Sequence, residues 1–330
     1  MFLVRNAVRS VVLAGAAVLA MQAGAGISAA SPDAGIDYAT DTVGTGPEMS
    51  AYDAHFYNPD HPDEAPAGSN DWACIPTAAH PRPVVLVHGT STNAFGDFAG
   101  MSPALQRAGF CVFTFNYGRT GDRVKFGQGD IPQSAEQLAA FVDRVVRVTG
   151  SGQVDLIGHS LGGTMSRYYL QFDGGAAEVA HLITLGATNH GTTLDGLWML
   201  AQAMNNFGVD ATDPATAMIS RAGVQQTVGS RFIADLNRNG DTVPGVAYTV
   251  VATRYDEVST PYPATFLQAG PDATVDNITL QDGCEQDLSD HINMTYSPRA
   301  ISIAEHALDP SIPIVCAPHA PWLADTDPDH

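Results

Sequence analysis

The chain predicts an α/β fold, a mostly parallel sheet with helices on both faces, and three observations carry that expectation. Short runs that are apolar on both faces, Val84–Val87 foremost, read as central strands. Segments with helical period and helical punctuation lie between them, giving a β-α-β-α-β-α-β alternation. One junction, Val154-Asp155-Leu156-Ile157-Gly158-His159-Ser160-Leu161-Gly162-Gly163, passes from strand to helix through Gly158-x-Ser160-x-Gly162. A serine at the apex of such a turn points its hydroxyl out of the fold.

In chain order, residues 1–30 read as a secretory signal. Arg5 and Arg9 precede an apolar run, Val11 to Met21, too short to span a bilayer, and Ser28-Ala29-Ala30 offers a cleavage site. A secreted, extracellular protein is expected. Residues 31–71 are rich in Gly, Pro and Asp without sustained period, an irregular N-terminal arm on the surface. Pro81-Arg82-Pro83 leads into Val84–Val87, which ends in His88-Gly89-Thr90-Ser91-Thr92-Asn93. A helix follows over Ser102–Ala108, with Ser102 as N-cap, Pro103 at its first position and Gly109 as terminator. Cys111–Asn116 is the next strand, and Ser134-x-x-Gln137 is a capping box opening a helix with Leu138, Phe141, Val142, Val145 and Val146 on one face.

The strand and turn at Ser160 come next, then a helix from Leu161 to about Phe172 and a strand at His181–Leu185. From about 192 to 239 the alternation breaks, and Leu194, Leu197, Trp198, Met199, Leu200 and Met204 suggest a helical cap inserted over one edge of the sheet. Strands resume at Val246–Thr253 and Val275–Leu280, and a last helix covers Pro298–Leu308. Residues 317–330 form an acidic, proline-containing tail. One domain over 72–316, acting as a monomer, is the economical organisation.

The formal charge is −20, from 15 Lys+Arg against 35 Asp+Glu. That excludes nucleic acid, which needs a basic face, and disfavours an anionic membrane surface. No stable membrane insertion is expected, whereas an uncharged ester or a neutral oil droplet meets no electrostatic penalty. Four cysteines in an exported chain suggest two disulfides among three possible pairings; Cys74–Cys111 and Cys284–Cys316, each local in sequence, are favoured. Their spacing does not suit zinc, and no metal site is expected.

A serine hydroxyl becomes nucleophilic beside a base, usually a histidine held by a carboxylate. In folds with this turn the chain order is serine, acid, histidine. Of the histidines after Ser160, His181 opens a strand at the far end of the sheet and His190 precedes any suitable acid. His306 lies in the last helix, and His319 and His330 lie in the tail. His291, in a polar loop after the last strand, remains. Asp256 follows the strand ending Val250-Val251-Ala252-Thr253; Glu257 is its rival by adjacency, Asp287 and Asp290 by nearness to His291. Two backbone N–H groups must meet the developing oxyanion. Leu161 supplies one from a helix N-terminus, and Thr90, after the first strand, supplies the other, its hydroxyl being a further donor. His88 reads as a residue shaping that loop.

Val84–Val87 with His88-Gly89-Thr90, Gly158-His159-Ser160-Leu161-Gly162, Thr253-Arg254-Tyr255-Asp256-Glu257-Val258 and Asp290-His291 together resemble secreted bacterial lipases and esterases of the α/β-hydrolase fold, most closely the class 2 triacylglycerol lipases. The likeness runs from about Asp71 to Cys316. It implies Ser160 as nucleophile, Asp256 as acid, His291 as base, Thr90 and Leu161 as oxyanion donors, ester or lipid substrates met at an oil–water interface, and no cofactor. An acyltransferase, a polyester or cutin hydrolase, and an inactive secreted binding protein on the same scaffold are the competing possibilities. A metal-dependent hydrolase is disfavoured by the lack of ligand spacing.

Overall fold

The computed structural model describes residues 43–61, 63–120, 126–194 and 220–322. The expected signal (1–30), the start of the arm, most of the expected cap and the end of the tail lie outside the described residues.

Six strands form one sheet: β1 (Val84–Val87), β2 (Val112–Thr114), β3 (Val154–His159), β4 (Val179–Leu185), β5 (Ala247–Ala252) and β6 (Thr274–Thr279), in the order β2-β1-β3-β4-β5-β6. All five pairings are parallel. Every residue of β1 is buried because alternate side chains enter different cores. Val85 and Val87 pack with Phe141 and Val142 of α4 (Ile131–Thr149) and Met165 and Tyr169 of α5 (Leu161–Phe172). Val84 and Leu86 pack with Leu105 of α3 (Met101–Arg107) and Ile303 of the last helix, α7 (Pro298–Leu308). Each such side chain stabilises the fold by about 1.5–3 kcal/mol. Val145 completes the expected α4 face, with Val146 only partly buried.

Several local expectations are corrected. The arm is not wholly irregular: Ser50 caps a helix, α1 (Ala51–Tyr57), by accepting from Asp53 N. Nor does it all lie on the surface, since Ala54, Ala65, Ser69 and Asn70 are buried. A short helix, α2 (Ala94–Phe98), follows β1, capped by Asn93 accepting from Gly96 N. Helix α3 begins at Met101 after Gly100, so Ser102 is not its cap; the Ser102 hydroxyl donates to Ala67 O at 2.9 Å. Helix α4 begins at Ile131, with Asp130 accepting from Gln133 N. Ser134 is thus inside the helix, and Gln137 Oε1 accepts from Gly118 N at 3.0 Å. In the expected cap, residues 220–225 are helical and α6 spans Arg231–Asn237.

The two sheet edges differ. At β2 the arm closes the edge, Asn70 N donating to Val112 O at 2.9 Å and its side chain accepting from Thr114 N at 2.8 Å. At β6, Asp276 is exposed. Disulfides join Cys74 to Cys111 and Cys284 to Cys316. The expected tail is partly packed: Leu288 N donates to His319 O at 2.8 Å and Trp322 N to Asp290 Oδ2 at 2.7 Å. Among the described residues, no helix is long and apolar enough to cross a membrane.

Candidate active site

The segments that follow β1, β3, β5 and β6 bring the sequence-selected residues Thr90, Ser160, Asp256 and His291 together at one end of the sheet. Ser160 follows β3 at φ +52° and ψ −121°, a conformation that costs a non-glycine residue of order 1–3 kcal/mol. It is held by Ser160 N donating to Leu185 O at 2.8 Å. The flanking glycines are required by space. A Cβ on Gly162 would overlap the Val87 carbonyl, and one on Gly158 would lie 2.5 Å from Gly163 N.

His291 lies in the loop between β6 and α7, and Asp256 follows β5. His291 Nδ1 donates to Asp256 Oδ2 at 3.0 Å. Asp256 Oδ1 accepts from Val258 N at 2.9 Å and Ser259 N at 2.6 Å, which fixes the carboxylate. Burial pushes the Asp256 pKa up, but the charge and hydrogen bond of His291, with those two N–H groups, outweigh it and hold the carboxyl below its usual range. Burial likewise pulls His291 down, and the Asp256 carboxylate, helped by Glu257 and Asp97, outweighs this and holds it above the ordinary histidine value. Ser160 and His291 both line a cavity of about 680 Å³. Among the described residues, Ser160 Oγ and His291 Nε2 have no other hydrogen-bond partner and make none to one another.

The rival acids have different work. Glu257 Oε2 accepts from the His291 backbone N–H at 3.1 Å. Asp287 accepts from Ser289 N and the Ser297 hydroxyl, and Asp290 from Asn293 N and Trp322 N. Among the other histidines, His181 meets Thr249 Oγ1 at 3.0 Å, His190 meets Asp241 at 3.0 Å, and His306 meets Ile312 O at 2.7 Å. His330 lies outside the described residues.

Thr90, in the loop after β1, lines the cavity with Ser160, and Leu161 opens α5 directly after the serine; neither backbone N–H has an acceptor among the described residues. Thr90 Oγ1 accepts from Gln226 Nε2 at 2.9 Å, and Gln226 Oε1 accepts from Thr188 Oγ1 at 2.9 Å. His88 shapes the loop. Its Nδ1 donates to Gly89 O at 2.8 Å, its Nε2 accepts from Tyr117 N at 3.4 Å, and burial pulls its pKa down to about 4.

Sequence reasoning missed three contributions. The arm supplies a cavity wall through Ala51, His55, Asn58 and Pro59. Gln226 supports Thr90. Asp97, on α2, accepts from both His159 Nδ1 and Gly89 N. Helical caps at Ser50 and Asn93 are the sequence signals that could have announced α1 and α2. No group of three or more His, Cys, Asp or Glu side chains among the described residues could hold a metal ion.

Comparison with known proteins bears on the family and the fold. A triacylglycerol lipase of Pseudarthrobacter phenanthrenivorans is 31% identical over 200 residues, covering 53% of this chain and 60% of that protein. One of Burkholderia plantarii is also 31% identical over 200 residues, covering 53% of this chain and 54% of that protein. The chain therefore spans somewhat over half the length of these curated relatives. Lipase B of Aspergillus fumigatus shares the fold, with a TM-score of 0.57 at 20% identity over 76% of this chain and 60% of that one. The family model Lipase (class 2) matches residues 81–298, a stretch that includes Ser160, Asp256 and His291. Well over half of the chain follows that pattern, and the protein belongs to the class 2 lipase family, with an α/β-hydrolase fold.

Proposed function

We propose that this protein is a secreted hydrolase of carboxylic esters, triacylglycerols among them, working through an acyl-enzyme on Ser160. The observation that carries the reading is the 3.0 Å hydrogen bond from His291 to a fixed Asp256 carboxylate, beside a strained serine on the same cavity. Family membership supports the ester chemistry. The signal-like residues 1–30 and the two disulfides support export.

In this mechanism His291 Nε2 takes the Ser160 proton as Oγ attacks the ester carbonyl. Asp256 holds the ring with its proton on Nδ1 and stabilises the imidazolium that forms. Backbone N–H groups of Thr90 and Leu161 meet the oxyanion. Because Gln226 donates to Thr90 Oγ1, the threonine's own proton is free to be a third donor. His291 then protonates the leaving alcohol, and a water activated by the same base releases the acid. The residues do this without a cofactor.

The test is hydrolysis of p-nitrophenyl esters from short to long chains by wild type and Ser160→Ala, with fluorophosphonate labelling of both. Activity and labelling should vanish together in the variant. Full activity in folded Ser160→Ala would end the proposal.

A further inference from the structure

A second histidine–aspartate pair lies against the proposed triad, and the steps above do not use it. Asp97 is 6% exposed and His159, the residue before the nucleophile, 5%. His159 Nδ1 lies 2.8 Å from Asp97 Oδ2, and the same oxygen accepts from Gly89 N at 2.7 Å. On the other side of the ring, His159 Nε2 lies 3.0 Å from the carbonyl oxygen of His291. The rings of His159 and His291 are 5.0 Å apart. One line of hydrogen bonds thus runs from the loop carrying Thr90, through Asp97 and His159, to the backbone of His291. The loop sits directly on the pair: a Cβ on Gly89 would be 3.2 Å from His159 Nδ1, 3.2 Å from Ser160 Cβ and 3.4 Å from Asp97 Oδ2.

The His291 carbonyl can only accept, so His159 Nε2 is the donor of that bond. Asp97 is also an acceptor: burial pushes its pKa up, but the charge and hydrogen bond of His159, with His88 and the Gly89 N–H, outweigh this and hold it below the usual carboxylate range.

We propose that His159, hydrogen-bonded on one side to Asp97 and on the other to the His291 carbonyl, is a positioning residue that clamps the oxyanion loop and the base loop to the strand bearing the nucleophile. It acts through Gly89 and His291, not on the substrate, and the proposal rests on the hydrolase reading above. Its contribution is register between two loops and a strand that are far apart in the chain.

Kinetics of two single variants and their double test it. In ester hydrolysis, Asp97→Asn and His159→Gln should each lower kcat about 10- to 100-fold with KM changed less than about twofold, as expected for misplaced reacting groups. The double variant should be no slower than the slower single, since both remove one clamp. Wild-type kcat in whichever of Asp97→Asn and His159→Gln folds would overturn the proposal. The hydrolase reading is tested separately by Ser160→Ala, so an active wild type with an undisturbed Asp97→Asn sinks the clamp alone.

Discussion

Gly186, at the tip of β4, faces the imidazole of His291 so closely that a Cβ there would lie 3.1 Å from Nδ1, 3.2 Å from Asp256 Oδ2 and 2.9 Å from Met294 Sδ. Its φ is +58°, and its ends are fixed: Gly186 N donates to Val251 O at 2.9 Å, and Ser259 Oγ donates to Gly186 O at 2.6 Å. The backbone cannot retreat without disturbing the loop that holds the acid. Gly186→Ala should cost about 1–3 kcal/mol in thermal unfolding through backbone strain. By displacing the dyad it should lower kcat about 10- to 100-fold. Unchanged turnover in that variant would show that the dyad has slack.

The raised pKa of His291 sets the pH dependence. Only the neutral ring can act as base, so activity should appear as pH rises through a value above the ordinary histidine value of about 6.5. Asp256→Asn removes the carboxylate that holds the value up, so the acid limb of kcat/KM should move to lower pH. Turnover should fall about 10³- to 10⁴-fold, because the ring loses its tautomer and orientation. For stability the signs are opposite for the two partners. His291 is raised on folding, so its contribution is complete below the unfolded value and lost as pH rises through the folded one. Asp256 is lowered, so its contribution is present above the unfolded value and lost as pH falls through the folded one. The pair therefore stabilises most between about pH 3.9 and 6.5, and a plot of Tm against pH should be flatter in Asp256→Asn.

The Thr90 hydroxyl offers a graded test. Thr90→Ala keeps the backbone N–H and removes the third donor, with an expected loss of about 2.7–4 kcal/mol of transition-state stabilisation in kcat. Gln226→Ala leaves the hydroxyl in place but unoriented and should cost less. Equal kcat in all three proteins would remove the hydroxyl from the mechanism.

The bridge Cys284–Cys316, 32 positions apart, encloses the loop of His291 and all of α7. Replacing both cysteines with alanine should destabilise the fold by about 2–5 kcal/mol in denaturant unfolding. Activity should fall at a lower temperature than in wild type, since the base sits within the released segment.

The strand and helix alternation was legible because β1 and β3 are buried on both faces, which leaves an apolar run that no amphipathic helix would show. The chain order of Ser160, Asp256 and His291 was legible for a similar reason, because each follows or flanks a recognisable strand. Short helices were not. α1 and α2 hold too few turns for periodicity, and only their caps mark them. At α4, Asp130 with Pro132 just behind it prevailed over the box at Ser134, since an earlier start satisfies more backbone groups. The pairing of His159 with Asp97 joins positions 62 apart, and the carbonyl it meets at His291 is 132 positions away. Nothing local encodes such a meeting; it arises only when the strands come into register.

The unequal flanks of the sheet bear on how copies of this molecule meet. At one border, Asn70 imitates a neighbouring strand and consumes the groups that a stranger could use. On the opposite border, β6 has no further strand paired to it among the described residues, and such an edge can pair with a strand of another molecule. Asp276 stands there as a guard: any strand that docked would have to strip water from its carboxylate, and a second molecule arriving the same way would bring an identical anion against it.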